Sequence, residues 1–510
     1  MTKRLFILLF ICPLLGFTQP PDSYPATVKI VLTKAGKNKM ELEKAINYFN
    51  KSGDALKLKA VYFLIANMDI HSSADYYWAD AKGNKIVYNE FNYSDFNTAT
   101  KAAGLISAQH PGAHMVPVMI PDITIIKGDF LIDHINRIFV AWKTSRAKNI
   151  SFNVFCEYIL PYRVSVEPLQ NWTPTYTNRF KWFKDGLKAN GIQKELAALS
   201  INVNTWFINT NELESRKEPL PRLGAMQLLF RKKGPCEDVA DLSAYILRSQ
   251  GVPVALDVIP YWATSTGSHF TTSVFDPQMH TIRFDLSRID AISNNAVPRE
   301  PSKVIRVTYS KQPGTLAGFE KPENIPDGFM QTVNYKDVTA DYWPTTNVTC
   351  PLLPNKNNSK IVYAYIFNGL RWRPTWWGIK NGNSVTFKNM SKGVVYLPAY
   401  YKDKKLMPAG YPLAEGYHHE MSLAPDLNKR ISIVLKQESG YLTFKPGKRY
   451  KLYYWDNRWQ FISQQVANLS TSELLFSNVP KNSLLLLLPE YSQKKERPFM
   501  ITDDGKRNWF

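Results

Sequence analysis

Residues 234–251 read Gly-Pro-Cys-Glu-Asp-Val-Ala-Asp-Leu-Ser-Ala-Tyr-Ile-Leu-Arg-Ser-Gln-Gly. The Gly-Pro turn puts Cys236 in the first turn of a helix. There the positive end of the helix dipole and unpaired backbone N–H groups favour a thiolate. The same N–H groups can hold the oxyanion formed when a thiolate attacks a carbonyl. Glu237 and Asp238 act against the thiolate, so the cysteine needs a basic partner, and the chain has eight histidines to supply one. His269 opens a strand-like run, His-Phe-Thr-Thr-Ser-Val-Phe-Asp, after the strand-like 252–259 and a loop at 263–267. The turn Asp276-Pro277-Gln278-Met279-His280 then reverses the chain into Thr281-Ile282-Arg283-Phe284-Asp285. Asp276 lies on the opposite face of His269's own strand and roughly 23 Å along it, too far to orient the ring. Across the hairpin His269 faces position 286, which brings Asp285 within a residue or two. Cys236, His269 and Asp285 thus form a thiolate–imidazolium pair with an orienting carboxylate, suited to acyl transfer at an amide.

Cys236, Val239, Leu242, Ser243, Ile246 and Leu247 form one largely apolar stripe of an amphipathic helix, closed by Gly251 as its C-terminal cap. The pattern over 19–180 is mixed but leans helical: Leu42, Ala45, Ile46 and Phe49 share one helical face, and 60–68 continues similarly. The aromatic-dense 155–163 reads as a buried packing segment, with Cys156 a small buried hydrophobe in it. Residues 301–347, with scattered prolines and few apolar runs, read as a connector. From 348 to 510 the pattern alternates as β-structure and contains an internal repeat. Trp372, Phe387-Lys388-Asn389-Met390 and Tyr396-Leu397-Pro398 recur as Trp459, Phe476-Ser477-Asn478-Val479 and Leu487-Leu488-Pro489. Two related β-sandwich-like units produce such a pattern. Trp376-Trp377 and Tyr400-Tyr401 offer rings for stacking on sugars, although sandwich core is the commoner fate of such residues.

The run from Gly234 to Leu242, continued by Leu-Arg-Ser-Gln-Gly-Val-Pro-Val and followed by His269 and Asp285, resembles the core of the transglutaminase-like superfamily. The resemblance covers about 100 of the 510 residues. It implies an α+β, papain-like core over 181–300 with Cys236 as nucleophile, His269 as general base and acid, and Asp285 as the histidine's partner. The family commonly has Trp after the histidine, where this chain has Phe270. An upstream oxyanion donor has no clear position; Trp206 and Gln227 are candidates by residue type alone. The resemblance extends to secreted bacterial members of uncharacterised function in 155–163 and in the Trp-rich C-terminal region.

At about 150 residues per domain, the length suggests about three domains, enough to bury cores without disulfide staples. Apolar residues at 44% and aromatics at 13% exclude wholesale disorder. The basic Lys3-Arg4 followed by the apolar 5–17, with Gly16 and Thr18 placed for cleavage, predicts a signal peptide over 1–18. Ile11 ahead of Cys12 disfavours a lipoprotein. The expected destination is the periplasm, the cell surface or beyond, and no later transmembrane segment is expected. Removing Cys12 leaves Cys156, Cys236 and Cys350, an odd number, so one thiol stays unpaired. A net charge of +20 favours anionic surroundings such as cell-envelope glycans. Secretion and the lack of binding motifs argue against nucleic acid. Arg231-Lys232-Lys233 read as a solvated charge run. The spacings His110…His114 and His418-His419-Glu420 suit no metal, so neither metal nor cofactor is expected. The expected partner is a protein or peptide substrate, with protease or amidase chemistry favoured over cross-linking. The rival reading is a glycan- or envelope-binding protein that keeps the thiol fold as a scaffold.

Overall fold

The computed structural model describes residues 24–145, 149–210, 219–288, 292–293, 297–354, 359–416, 420–439 and 442–510. The expected signal peptide and His418-His419 lie outside the described residues. The fold is α+β: helices dominate the first half and sheets the C-terminal part. Among the described residues no helix is long and apolar enough to cross a membrane.

Helices α1 (Ala26–Lys34), α2 (Lys39–Lys51) and α3 (Ala55–Asn67) pack with α4 (Gly128–Lys143). The stripe Leu42, Ala45, Ile46 and Phe49 of α2 is buried, as its 3.6-residue periodicity requires. Between these helices β1 (Ser72–Ala79) pairs antiparallel with β2 (His114–Pro121), and a further helix, Phe96–Gln109, lies in the segment that joins the two strands. In the aromatic-dense stretch a helix, α5 (Phe152–Tyr158), ends before Pro161. Arg163 then turns inward and binds Asp122 with two bonds, at 2.6 and 2.7 Å. Both side chains are almost fully buried.

α6 (Ala225–Arg231) leads through a short turn into α7 (Cys236–Ser249). Every residue of α7 from Asp238 to Ser249 is buried, so this helix is enclosed on all sides, whereas its sequence reads as amphipathic. The polar residues are reconciled with burial by specific partners. Arg222 donates to Asp241 at 2.9 Å, the Leu223 amide donates to Asp238 at 3.3 Å, and Arg248 donates to the Arg163 carbonyl at 2.6 Å. Gly251 has φ +72°, and a Cβ there would sit 2.4 Å from the Ala141 carbonyl oxygen, so only glycine ends the helix against α4.

α7 packs on an antiparallel sheet of β3 (Val254–Ile259), β4 (His269–Phe275), β5 (Thr281–Phe284), β6 (Ile292–Ser293), β7 (Ile305–Val307) and β8 (Tyr335–Asp337). The order across the sheet is β8-β7-β3-β4-β5-β6. The stretch 301–347 therefore does more than connect: it supplies the edge strand β8 and its inner neighbour β7. Nor does packing break near residue 180, because one apolar cluster runs from Val28 through α7 to Tyr309.

The C-terminal part contains two copies of one pairing pattern. In the first copy, β9 (Thr345–Pro351) pairs β12 (Ser384–Ser391), while β10 (Ile361–Asn368) pairs both β11 (Arg371–Asn381) and β13 (Val394–Lys402). In the second, β14 (Asp426–Lys436) pairs β17 (Glu473–Lys481), while β15 (Arg449–Asp456) pairs both β16 (Arg458–Val466) and β18 (Leu485–Pro489). Phe387 and Phe476 are fully buried in equivalent places, and Asn389 and Asn478, two residues on, both take left-handed backbone. The repeats meet through aromatics: Trp372 and Trp459 each lie 5.2 Å from Trp455 and 5.4 Å from Phe367.

Candidate active site

The turn before Cys236 is held by a short parallel ladder. The amides of Ile208 and Thr210 donate to the carbonyls of Lys232 and Gly234, each at 2.9 Å. Pro235 serves as the N-cap, accepting from the amides of Asp238 and Val239. The first amides of α7 have no intrahelical acceptor, as at any helix start. Cys236 is part-buried, and its thiol donates to the Glu237 carboxylate at 3.6 Å.

β4 presents His269 at its first residue. The hairpin register pairs Thr272 with Phe284 and Phe275 with Thr281, one place beyond the expected register. The reason is the turn: Asp276 accepts from the amides of Gln278 and His280, and Met279 takes φ +68°. Asp285 lies just past the end of β5, and its Oδ2 is 2.9 Å from His269 Nε2. Its Oδ1 accepts from Ser287 twice, from the amide at 3.1 Å and from the hydroxyl at 2.5 Å, which fixes the carboxylate.

Burial disfavours the charged ring of His269, but hydrogen bonds and charge from Asp285 and Cys236 outweigh it and hold its pKa up at about 9. Burial likewise works against the Asp285 carboxylate, and the bonds to His269 and Ser287 keep it below the ordinary carboxylate range. With Nε2 committed to Asp285, Nδ1 is the ring nitrogen left to exchange a proton with the thiol. The three residues marked out by sequence are thus brought together. The other two cysteines are different in kind: burial pushes the thiols of Cys156 and Cys350 up to about 12.

Other residues take places that sequence did not assign them. Trp262 stacks on His269, with ring centroids 5.9 Å apart and planes 26° from parallel. Nothing in the spacing of a tryptophan seven residues upstream signals this. Phe270 lies under the Arg222 guanidinium, 4.6 Å from its ring centroid. Gln227 does not serve as an oxyanion donor: its oxygen accepts from the Gly224 amide and its nitrogen donates to Glu90 at 2.6 Å. Trp206 directs its N–H to Asn202 at 3.3 Å and packs under Arg179. Arg231 is no solvated charge, because it is buried and bound twice by Glu90, at 2.8 Å each. Among the described residues no cluster of three or more His, Cys, Asp or Glu is arranged to hold a metal ion.

No family model and no curated protein matches this chain. Among solved structures, that of red sea bream transglutaminase is similar over 85% of this chain and 76% of its own, at 10% identity and a TM-score of 0.22. A likeness that slight carries no weight in assigning a function.

Proposed function

We propose that this protein is a secreted cysteine enzyme of the transglutaminase-like type, with a papain-like core that acts on amide bonds. The observation that carries the reading is the His269–Asp285 bond at 2.9 Å, with His269's pKa held up jointly by Asp285 and Cys236. The Cys236 thiolate attacks the amide carbonyl, forming a C–S bond, and the first amides of α7 stabilise the oxyanion. The C–N bond breaks as the His269 imidazolium gives its proton to the departing amine. In the second half, His269 takes a proton from water as the new C–O bond forms. The C–S bond then breaks, and the thiolate–imidazolium pair is restored. Hydrolysis is favoured over transfer to a lysine amine because water needs no dedicated second-substrate site. The substrate is a protein or peptide.

The test is iodoacetamide alkylation of Cys236 as a function of pH, in the parent and in His269→Ala, with the labelled residue mapped by mass spectrometry. The parent is expected to react well below the midpoint of an ordinary thiol, about 8.5, and His269→Ala to lose that advantage. An ordinary profile indifferent to His269 overturns the reading. The aromatic residues that suggest the glycan-binding alternative are engaged within the protein: Tyr400 is fully buried, Tyr401 packs edge-on against Tyr363, Trp376 lies under Lys303, and Trp377 packs on Phe319.

A further inference from the structure

The loop that delivers His269 is held from outside its own sheet. Residues 260–268 join β3 to β4, and Trp262 of this loop is the ring stacked on His269. Within the loop, the Trp262 amide donates to the Gly267 carbonyl at 3.1 Å. On its outer side, the Ala263 amide and the Thr264 hydroxyl donate to Glu300, at 3.0 and 2.7 Å. The carbonyl groups on the inner side converge on one side chain from the C-terminal part. Asn368, the last residue of β10, places its Nδ2 at 2.8 Å from the Trp262 oxygen, 2.8 Å from the Ser265 oxygen and 3.3 Å from the Gly267 oxygen. The amide has two hydrogens for the two short bonds, and Gly267 takes the longer, shared contact. Asn368 is 6% exposed, so water does not replace it.

The backbone of Asn368 is fixed as firmly as its side chain. It pairs with Arg371 across a two-residue turn whose central residues, Gly369 and Leu370, both have φ +60°. That is the signature of the tight hairpin turn favoured by strand twist. A leucine held at positive φ is disfavoured by its Cβ, so this conformation persists only because its surroundings impose it. The amide is also the right chemical group for the place: a carboxylate of the same shape would face three carbonyl oxygens with no proton to offer.

We infer that Asn368 is a positioning residue for His269. By fastening three carbonyl groups of the 260–268 loop, it sets Trp262 against the imidazole and fixes the point at which β4 begins. The sheet-rich C-terminal part is therefore part of the catalytic unit, although it contributes no reacting atom. This rests on the thiol chemistry proposed above, and the experiment separates the two.

The full-length chain carrying Asn368→Asp, and separately the milder Asn368→Gln, is compared with the parent by circular dichroism, thermal melting and the pH profile of Cys236 alkylation. Asn368→Asp is expected to remain folded while its alkylation rate at pH 6.5 falls roughly ten- to a hundredfold, the usual cost of misplacing a reacting group by about an ångström. Its profile is expected to move towards that of His269→Ala. Asn368→Gln, which keeps the amide but displaces it by one methylene, is expected to move the same way by less. A loss of packing alone lowers the melting temperature without moving the pH profile. If either folded variant keeps the parent profile while His269→Ala does not, the positioning role is overturned and the thiol reading stands. A parent profile that ignores His269 overturns both.

Discussion

Replacing Asp285 with asparagine removes one charge from the site and keeps the shape. His269 is only 22% exposed, and its pKa rises from 6.5 to about 9 in spite of burial. At ~1.36 kcal/mol per unit, a rise of that size is a preference of about 3 kcal/mol for the imidazolium. Asp285 and Cys236 supply it together, so removing the carboxylate is expected to lower the thiolate–imidazolium population by about tenfold or more. Asparagine has a second effect with the same sign. Its NH2 can donate to Nε2, which would leave the neutral ring protonated at Nδ1, the atom that must accept the thiol proton. The assay is the second-order rate of iodoacetamide alkylation at pH 6, read at Cys236, with folding checked by thermal melting. Cys156 and Cys350 are buried and do not confuse the reading. The expected result is a fall of about tenfold or more. A folded Asp285→Asn that reacts within twofold of the parent refutes the view that the carboxylate sustains the ion pair.

Alkylation by iodoacetate, which carries a negative charge, is expected to slow as pH rises through about 9, where His269 loses its proton, while the neutral iodoacetamide does not slow. Identical profiles for the two reagents would exclude an imidazolium beside the thiol. Glu237 accepts from the Cys236 thiol at 3.6 Å, so Glu237→Gln is expected to speed alkylation at pH 6–7 by about two- to fivefold, because a like charge leaves the thiolate. Unchanged or slower labelling would count against that role. Lys303 is fully buried on Asp337 at 2.6 Å and on the carbonyls of Lys388 and Asn389 at 2.8 Å each. Burial lowers its pKa from 10.5 to about 8, against the pull of Asp337. Between those values the unfolded chain binds more protons, so the group's contribution to stability rises with pH across the window and is flat below it. Urea midpoints of the parent, compared with Lys303→Met, are expected to diverge in the parent's favour from pH 8 to 10.5.

The site was legible where local rules act. Gly234, Pro235 and Gly251 bound α7, and strand geometry separates Asp285 from Asp276 without knowledge of any distant contact. The predicted register is one residue short because Met279 adopts left-handed backbone, which only glycine or asparagine would have signalled. The helical period of α2 survives because one face meets solvent, whereas α7 is enclosed and its buried Asp238, Asp241 and Arg248 look like an exposed polar face in one dimension. Glu90 with Arg231, Arg163 with Asp122, and Asn368 with the Trp262 loop join residues that are far apart in the chain. No local pattern encodes such pairings. The Trp-Phe-Asn repeat was visible because both copies face the same packing demands. Its Trp rings serve the contact between the copies, which composition alone could not distinguish from a sugar platform.

The single cluster running from Val28 to Tyr309 has a consequence for the order in which the chain folds. Tyr309 donates its hydroxyl to the Leu64 carbonyl at 3.0 Å and stacks on His71 at 4.3 Å, contacts that span well over two hundred residues. Closing loops of that length is entropically costly before any contact rewards it, so these contacts are expected to form late. The N-terminal helices can form early, but they have no finished surface to rest on until β7 and Tyr309 have been made. On the proposed function, the Cys236 thiol is expected to become reactive only once β7 and Tyr309 are in place and His269 is held.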